Sequence, residues 1–380
     1  MASHDAAKAP IRSLPVPSAS MADYLVLITI ALTSACRNSV TFGRAQPLRY
    51  DSCVGRGAYE HNYTQLNLPE LAVEAADTEP LQVALPPGWA ATGPPEMDLY
   101  CAENLALLKA KAESWTGKFQ IVYLDPPFGS GKTYMARIEG DRGRPSQVVD
   151  AYRDDQDFET YLAWLYRRLA LVRDLLSPAG TLYLHLDWHA VHYVKVELDR
   201  LFGRERFLNE IIWCYHGPSP IRSAFKRKHD TILAYTRSPG YYFNADAVRV
   251  PYEEATFRAF ASSRKAGFGK TPDLQRGKVP EDWWYFPVVA RMHSERVGYE
   301  TQKPEALLAR IIEASSRPGD LVGDFFAGAG TVGVAAARLG RDAVLADRNP
   351  VAVEKSLLRL SRLEPRPQIR LWRFFTGDVA

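Results

Sequence analysis

The sequence predicts a doubly wound α/β sheet, mixed because antiparallel pairing is expected near its end, with a loop-rich insert between its two halves. Three observations predict it. From Met97 onward, apolar strands alternate with amphipathic helices, the rhythm of βαβ crossovers. One strand runs into a glycine turn, Gly323-Asp324-Phe325-Phe326-Ala327-Gly328-Ala329-Gly330, that opens a helix. An earlier strand, Ile121-Val122-Tyr123-Leu124, closes on Asp125-Pro126-Pro127-Phe128, about two hundred residues before that turn. With 380 residues, 46% of them hydrophobic, the chain can bury one large core and an appended lobe.

Residues 1–95 show little periodicity and carry clusters such as Leu85-Pro86-Pro87-Gly88 and Gly93-Pro94-Pro95, so they read as an extension that wraps or hangs from the body. Within it, Tyr24 to Ala35 is apolar but shorter than the ~20 residues a membrane-spanning helix needs. Thr33-Ser34-Ala35-Cys36 matches a lipoprotein cleavage site only in part, since Thr33 stands where a Leu-like residue belongs. The segment reads as a leader, with the functional start at or after Met21. No membrane association is expected, and the expected compartment is the cytoplasm.

A short strand, Asp98 to Cys101, then gives way to an amphipathic helix, Asn104 to Lys111, and the strand Ile121 to Leu124 follows. A long helix, Asp157 to Leu176, is expected to stop at Ser177-Pro178-Ala179-Gly180. Beyond it come a strand, Thr181 to Leu186, a helix from Ala190 to Phe202, and two strands, Glu210 to Tyr215 and Thr231 to Thr236. A helix from Leu307 to Ser315 leads to the strand Leu321 to Phe325. The glycine turn then feeds a helix, Val332 to Leu339, and a strand, Asp342 to Ala346, that ends at Asp347.

Between His216 and Glu300 this rhythm breaks. Lysines and arginines outnumber acids there, among them Arg222, Lys226, Arg227, Lys228, Arg264 and Lys265, and aromatics are interleaved, as in Trp283-Trp284-Tyr285-Phe286. The formal charge of the whole chain is only +3, so a polyanion would have to be met by such a local surface. The four cysteines are widely scattered, without a CxxC pair or a His cluster, which argues against a disulfide framework and a zinc site.

Two stretches carry chemistry. Gly328-x-Gly330-x-x-Gly333 leaves a strand and opens a helix, and Asp347 ends the next strand. This is the pattern in which backbone approaches a nucleotide-like ligand and an acid takes ribose hydroxyls. It points to an adenosine-containing cofactor without saying which. In Asp125-Pro126-Pro127-Phe128 the prolines remove two backbone donors, so the loop presents carbonyl oxygens and a carboxylate as acceptors. An exocyclic amine on a base offers two N–H donors and a lone pair delocalised into its ring. Acceptors at Asp125 and at the Pro126 carbonyl would favour a pyramidal nitrogen with that lone pair freed, while Phe128 offers a face for stacking. The neighbouring Gly131-Lys132-Thr133 imitates the end of a phosphate loop, but Pro126 stands where that loop needs glycine.

From about Met97 to Leu363 the chain resembles the amino-methylating DNA methyltransferases, and its motif order resembles their β group. Three further stretches carry the resemblance: Tyr100-Cys101-Ala102-Glu103-Asn104-Leu105, His229-Asp230-Thr231-Ile232-Leu233 and Tyr299-Glu300-Thr301-Gln302-Lys303-Pro304-Glu305. The resemblance implies the sheet of S-adenosylmethionine-dependent methyltransferases in permuted order. Residues 96–215 become the catalytic half, 216–300 the last sheet strand with a target-recognition insert, 301–363 the cofactor half, and 364–380 a C-terminal tail. It implies S-adenosylmethionine as cofactor and double-stranded DNA as partner, with a cognate restriction endonuclease and a second copy of the chain as further partners it admits.

Residue by residue, it implies that Asp125, Pro126, Pro127 and Phe128 hold an extruded base. Phe326, Ala327, Gly328, Gly330 and Thr331 would line the cofactor, Asp347 would take its ribose, and Thr301, Lys303 and Asp324 would meet its methionine end. Asp125 borders that cofactor as well. Arg222, Lys226, Arg227, Lys228, Arg264 and Lys265 would meet DNA. Two departures stand out. Glu103 replaces the usual Asp at a position expected to touch the cofactor adenine, and the turn reads Phe-Phe-Ala-Gly-Ala-Gly where Pro-Phe-Ala-Gly-Ser-Gly is commoner. Asp at the head of the tetrapeptide favours adenine N6 over cytosine N4. No cysteine follows a proline as the nucleophile for cytosine C5 would. A nicotinamide-dependent oxidoreductase would explain the glycine turn alone, and a DNA-binding module without catalysis would leave the acceptor loop idle.

Overall fold

The structure is a computed structural model and describes residues 81–83, 95–128, 133–138, 147–153, 157–262, 273–290 and 293–373. Tyr24 to Ala35, the Gly131-Lys132 pair, Arg264 and Lys265 lie outside the described residues.

Five parallel strands run through the centre of the main sheet beside a sixth at one flank. These are β2 (Glu96–Cys101), β3 (Phe119–Leu124), β6 (Leu176–Leu186), β10 (Leu321–Asp324), β11 (Asp342–Asp347) and β12 (Gln368–Arg373), with β1 (Leu81–Val83) antiparallel outside β12. At the other flank, β7 (Phe207–Cys214) and β8 (His229–Thr236) add antiparallel pairing, and the short β9 (Trp283–Tyr285) lies parallel to β7. The spatial order is β1-β12-β2-β11-β10-β3-β6-β8-β7-β9. A separate antiparallel ribbon joins β4 (Thr133–Ile138) to β5 (Gln147–Arg153).

Two hydrophobic cores, one on each face of the sheet, follow from the two-residue period of the strands. Ile121 and Tyr123 of β3 enter one core, while Phe119, Val122 and Leu124 enter the other. Against the first core pack α5 (Glu305–Ser315), α6 (Thr331–Arg338) and α7 (Pro350–Ser361), through Leu308, Ile312, Val334 and Leu357. Against the second pack α1 (Asn104–Trp115), α2 (Phe158–Leu175) and α3 (Val191–Phe202), through Leu107, Leu165, Leu169 and Val194. A helix α4 (Glu254–Ser262) lies in the stretch between β8 and β9. Caps explain several starts: Asp157 accepts from the Thr160 amide at 3.1 Å, and Asn349 accepts from Val351 at 2.9 Å ahead of Pro350.

The structure corrects the sequence reading at three places. Ser177-Pro178-Ala179-Gly180 does not separate helix from strand, because β6 begins at Leu176 and contains it. Distant partners supply what a turn would otherwise provide: Gln120 donates to the Ala179 carbonyl at 2.8 Å, and the Arg237 amide donates to Gly180 at 2.9 Å. Gln368–Arg373, read as tail, forms β12 beside β2, where the Arg370 guanidinium and Trp372 indole both reach the Asp98 carboxylate. Leu81–Val83, inside the stretch read as aperiodic, pairs with β12. The helix α7 also had no counterpart in the sequence reading. Among the described residues, no helix is long and apolar enough to cross a membrane.

The fold places its crevice by topology. From β10 the chain passes through α6 to β11 on one side. From β3 it passes through α2 to β6 on the other. Adjacent parallel strands whose crossovers leave in opposite directions open a cleft at their carboxyl ends. Both chemistry-bearing stretches of the sequence lie at that cleft.

Candidate active site

The glycine turn is held open by its own backbone. Gly328 and Gly330 have φ of +50° and +70°, a region that side chains with a Cβ rarely enter. The turn closes with the Gly330 amide donating to Ala327 at 2.7 Å. The Asp347 carboxylate accepts from the Gly328 amide and the Asn349 amide, each at 2.8 Å, which locks the end of β11 to the turn. Behind it, Arg359 donates to the Ala329 carbonyl and the Thr331 hydroxyl at 2.9 Å each, and pairs with Glu305 at 3.0 Å. The turn is therefore braced against α5 and α7.

Facing it, the Lys303 ammonium is paired with Asp125 Oδ2, and both side chains are largely sheltered, at 11% and 17% exposure. Asp125 Oδ1 is buried and has no hydrogen-bond partner among the described residues. Phe128 stacks on His185 with ring centroids 6.0 Å apart and an interplanar angle of 22°. His185 is fully buried: its Nδ1 lies 2.7 Å from the Tyr123 hydroxyl and its Nε2 3.3 Å from Asp230 Oδ2. The Tyr215 hydroxyl donates to the other Asp230 oxygen at 3.1 Å. The aromatic face of the loop thus rests on an imidazole fixed at both nitrogens.

One cavity brings together Glu103, Asp125, Pro127, Phe128, Thr301, Lys303, Asp324, Phe326, Ala327, Gly328, Thr331 and Asp347. Pro126 is buried, and neither it nor Gly330 is among the residues of the wall. Gly330 contributes conformation instead, since a Cβ there would sit 2.6 Å from Ser356 Oγ. Glu103 lies on the wall, but its carboxylate also has partners in the protein: the Ala106 amide at 2.8 Å and the Arg168 guanidinium. Sequence reasoning missed Trp164, Arg168 and Tyr299, which also line the cavity. The Trp164 and Phe326 ring centroids are 5.6 Å apart, and the Arg168 guanidinium lies over the Trp164 ring at 4.0 Å. The i,i+4 spacing of Trp164 and Arg168 on α2 was the available signal, but Tyr161, Leu165 and Leu169 on the same helix make it read as core.

Of the basic residues expected to meet DNA, Arg222, Lys226 and Arg227 are exposed and Lys228 is half-buried. Arg227 lies over the Trp188 ring at 4.2 Å, and Lys228 donates to the Pro218 carbonyl at 2.8 Å. These two hold the loop that carries them.

Glu103, Asp125, Asp324 and Asp347 line the cavity beside Arg168, Lys303 and Arg348. Burial pushes the Asp324 carboxyl well above its usual range. The Phe326 amide opposes that rise, and the charges of Asp125 and Asp347 add to it. Burial also raises Asp347, against the amides of Asn349 and Gly328. A carboxyl raised on folding contributes stability below its unfolded pKa and loses it as pH rises through the folded value. The isosteric Asp324→Asn is therefore expected to raise the melting temperature above wild type at pH 8, with the gap closing near pH 4, where an ordinary Asp protonates. Thermal melts of the cofactor-free protein across pH would check this, and a constant gap would contradict it. Chemically, four acids among which Lys303, Arg168 and Arg348 are interspersed suit a ligand that brings hydroxyl donors and a positive centre as well as a carboxylate.

Comparison with known proteins then decides the family. The N6/N4 DNA methylase family matches residues 119–357. The chain belongs to this family. The methyltransferase is 30% identical over 256 residues to the DNA adenine methyltransferase YhdJ of Escherichia coli (strain K12), covering 67% of this chain and 79% of that protein. It is 28% identical over 263 residues to the type II methyltransferase M.HpaI of Haemophilus parainfluenzae, covering 69% and 73%. The solved PvuII cytosine-N4 DNA methyltransferase superposes with a TM-score of 0.49 at 15% identity, covering 75% of this chain and 88% of that one. The methyltransferase acts on DNA amino groups, and its family draws the methyl group from S-adenosylmethionine.

Proposed function

We propose that the methyltransferase modifies N6 of adenine at specific sites in duplex DNA, with the base extruded onto Phe128. The carrying observation is Asp125 Oδ1, a buried acceptor without a partner among the described residues, beside an aromatic face. A buried polar atom left unpaired is costly unless a ligand satisfies it, and an amino N–H is a ligand of the right kind. Adenine is supported by Asp at the head of the tetrapeptide and by the similarity to the Escherichia coli adenine enzyme. The similarity to a type II methyltransferase supports a cognate endonuclease as partner, and an enzyme that modifies chromosomal sites would work in the cytoplasm.

When bound, S-adenosylmethionine supplies an electrophilic methyl group on a sulfonium. Asp347 would hold the ribose hydroxyls, the 326–331 turn would cradle the nucleoside, and Thr301, Lys303 and Asp324 would fix the methionine end. Asp125 Oδ1 accepts one N–H of the amine and so draws the nitrogen toward a pyramidal geometry, while Lys303, paired with Oδ2, holds the carboxylate in place. Phe128, backed by His185, fixes the plane of the base. Catalysis rests on orientation and on placed charge. Expressing the chain in a host without DNA methylation and sequencing its DNA with modification-sensitive chemistry tests the reading. N6-methyladenine at a recurring site is expected, and N4-methylcytosine there would overturn the choice of base.

A further inference from the structure

We propose that Phe225 is a wedge that enters the base stack and keeps the target base out of the duplex. The inference rests on the reading of an extruded base in duplex DNA. Phe225 is 98% exposed, whereas the other exposed large apolar side chains among the described residues range from 38% to 61%. Single exposed apolar residues are ordinary on a surface. A phenyl ring wholly in water, with the exposed Arg222 and Lys226 on the same loop, is the arrangement of an apolar wedge flanked by phosphate-binding cations.

The position of the loop makes the role specific. Leu124 at the end of β3 pairs with Leu184, and Leu186 at the end of β6 pairs with Thr231 at the start of β8. Cys214 at the end of β7 pairs with His229. Residues 215–228 therefore leave the sheet at the same carboxyl rim as Asp125. The root of the loop is fixed by the Tyr215 amide on the Lys228 carbonyl at 3.0 Å and by Arg227 over Trp188, while Phe225 projects free. Tyr215 also continues through Asp230 to His185, the ring behind Phe128. One connected set of side chains thus joins the root of the loop to the platform for the base.

The test uses synthetic duplexes carrying the methylated site found in the expressing host, with the target base either paired or opposite an abasic position. Single-turnover methylation is measured for wild type, Phe225→Ala and Phe225→Trp, with calorimetric S-adenosylmethionine binding as the control for folding. Phe225→Ala is expected to slow transfer about tenfold or more on the paired duplex and far less opposite the abasic site, because there extrusion breaks no base pair. Phe225→Trp, which keeps a flat apolar wedge, is expected to retain most of the rate. An unchanged rate on the paired duplex, or an equal loss on both duplexes, would overturn the wedge. Failure of the wild type on both duplexes would instead overturn the extruded-base reading.

Discussion

Asp125→Ala is expected to lower methyl transfer by about three orders of magnitude, through loss of a preorganised electrostatic contact and of the base's orientation. The same change leaves the Lys303 ammonium, only 11% exposed, without its carboxylate. An unpaired buried charge destabilises the fold by itself, so activity alone would be ambiguous. The double variant Asp125→Ala/Lys303→Met separates the two effects. Its denaturant midpoint should recover toward wild type while transfer stays as low as in the single variant. A tritiated-methyl assay beside urea melts makes the comparison. Recovery of activity together with stability would mean that Asp125 serves only the fold.

The second large effect belongs to the glycine turn. Gly330→Ala is expected to remove measurable S-adenosylmethionine binding in calorimetry. A Cβ at φ +70° is strained, at roughly 1–2 kcal/mol, and it would also press to 2.6 Å on Ser356 Oγ and 3.0 Å on Ser356 Cα. Neither α7 nor the turn can yield without moving Gly328, whose carbonyl accepts from Ser356 at 3.0 Å. Gly340 is the control, since its φ is +72° but the nearest atom to a Cβ there is Pro318 Cβ at 3.9 Å. Gly340→Ala should carry the strain and leave cofactor binding alone. Equal loss of binding in both variants would show that the close approach at Ser356 does not matter.

What was legible in the sequence follows from how local each signal is. The alternation of strands and helices, the glycine turn and the tetrapeptide are each written in a few consecutive residues, and the family match agrees with what they implied. Ser177-Pro178-Ala179-Gly180 misled because its strand conformation is set by Gln120 and Arg237, far away in sequence. β12 was missed because its partners, β2 and β1, lie hundreds of residues earlier, and only burial of Ile369 and Leu371 marks it as core. His185 was invisible for a related reason. In Leu184-His185-Leu186 it reads as a polar residue on a strand, and only the fold places Asp230, Tyr123 and Phe128 around it. Glu103 shows the opposite limit: its motif was legible, but its cap to Ala106 and its pairing with Arg168 were not.

The central claim is that Asp125 and Phe128 present an exocyclic amine to a methyl donor held by the 326–331 turn. The most direct test incubates the protein with unmethylated duplex DNA and S-adenosylmethionine carrying a deuterated methyl group, digests the DNA, and identifies labelled nucleosides by mass spectrometry. The expected result is labelled N6-methyladenine with wild type and none with Asp125→Ala. Label in 5-methylcytosine, or undiminished label with Asp125→Ala, would contradict it.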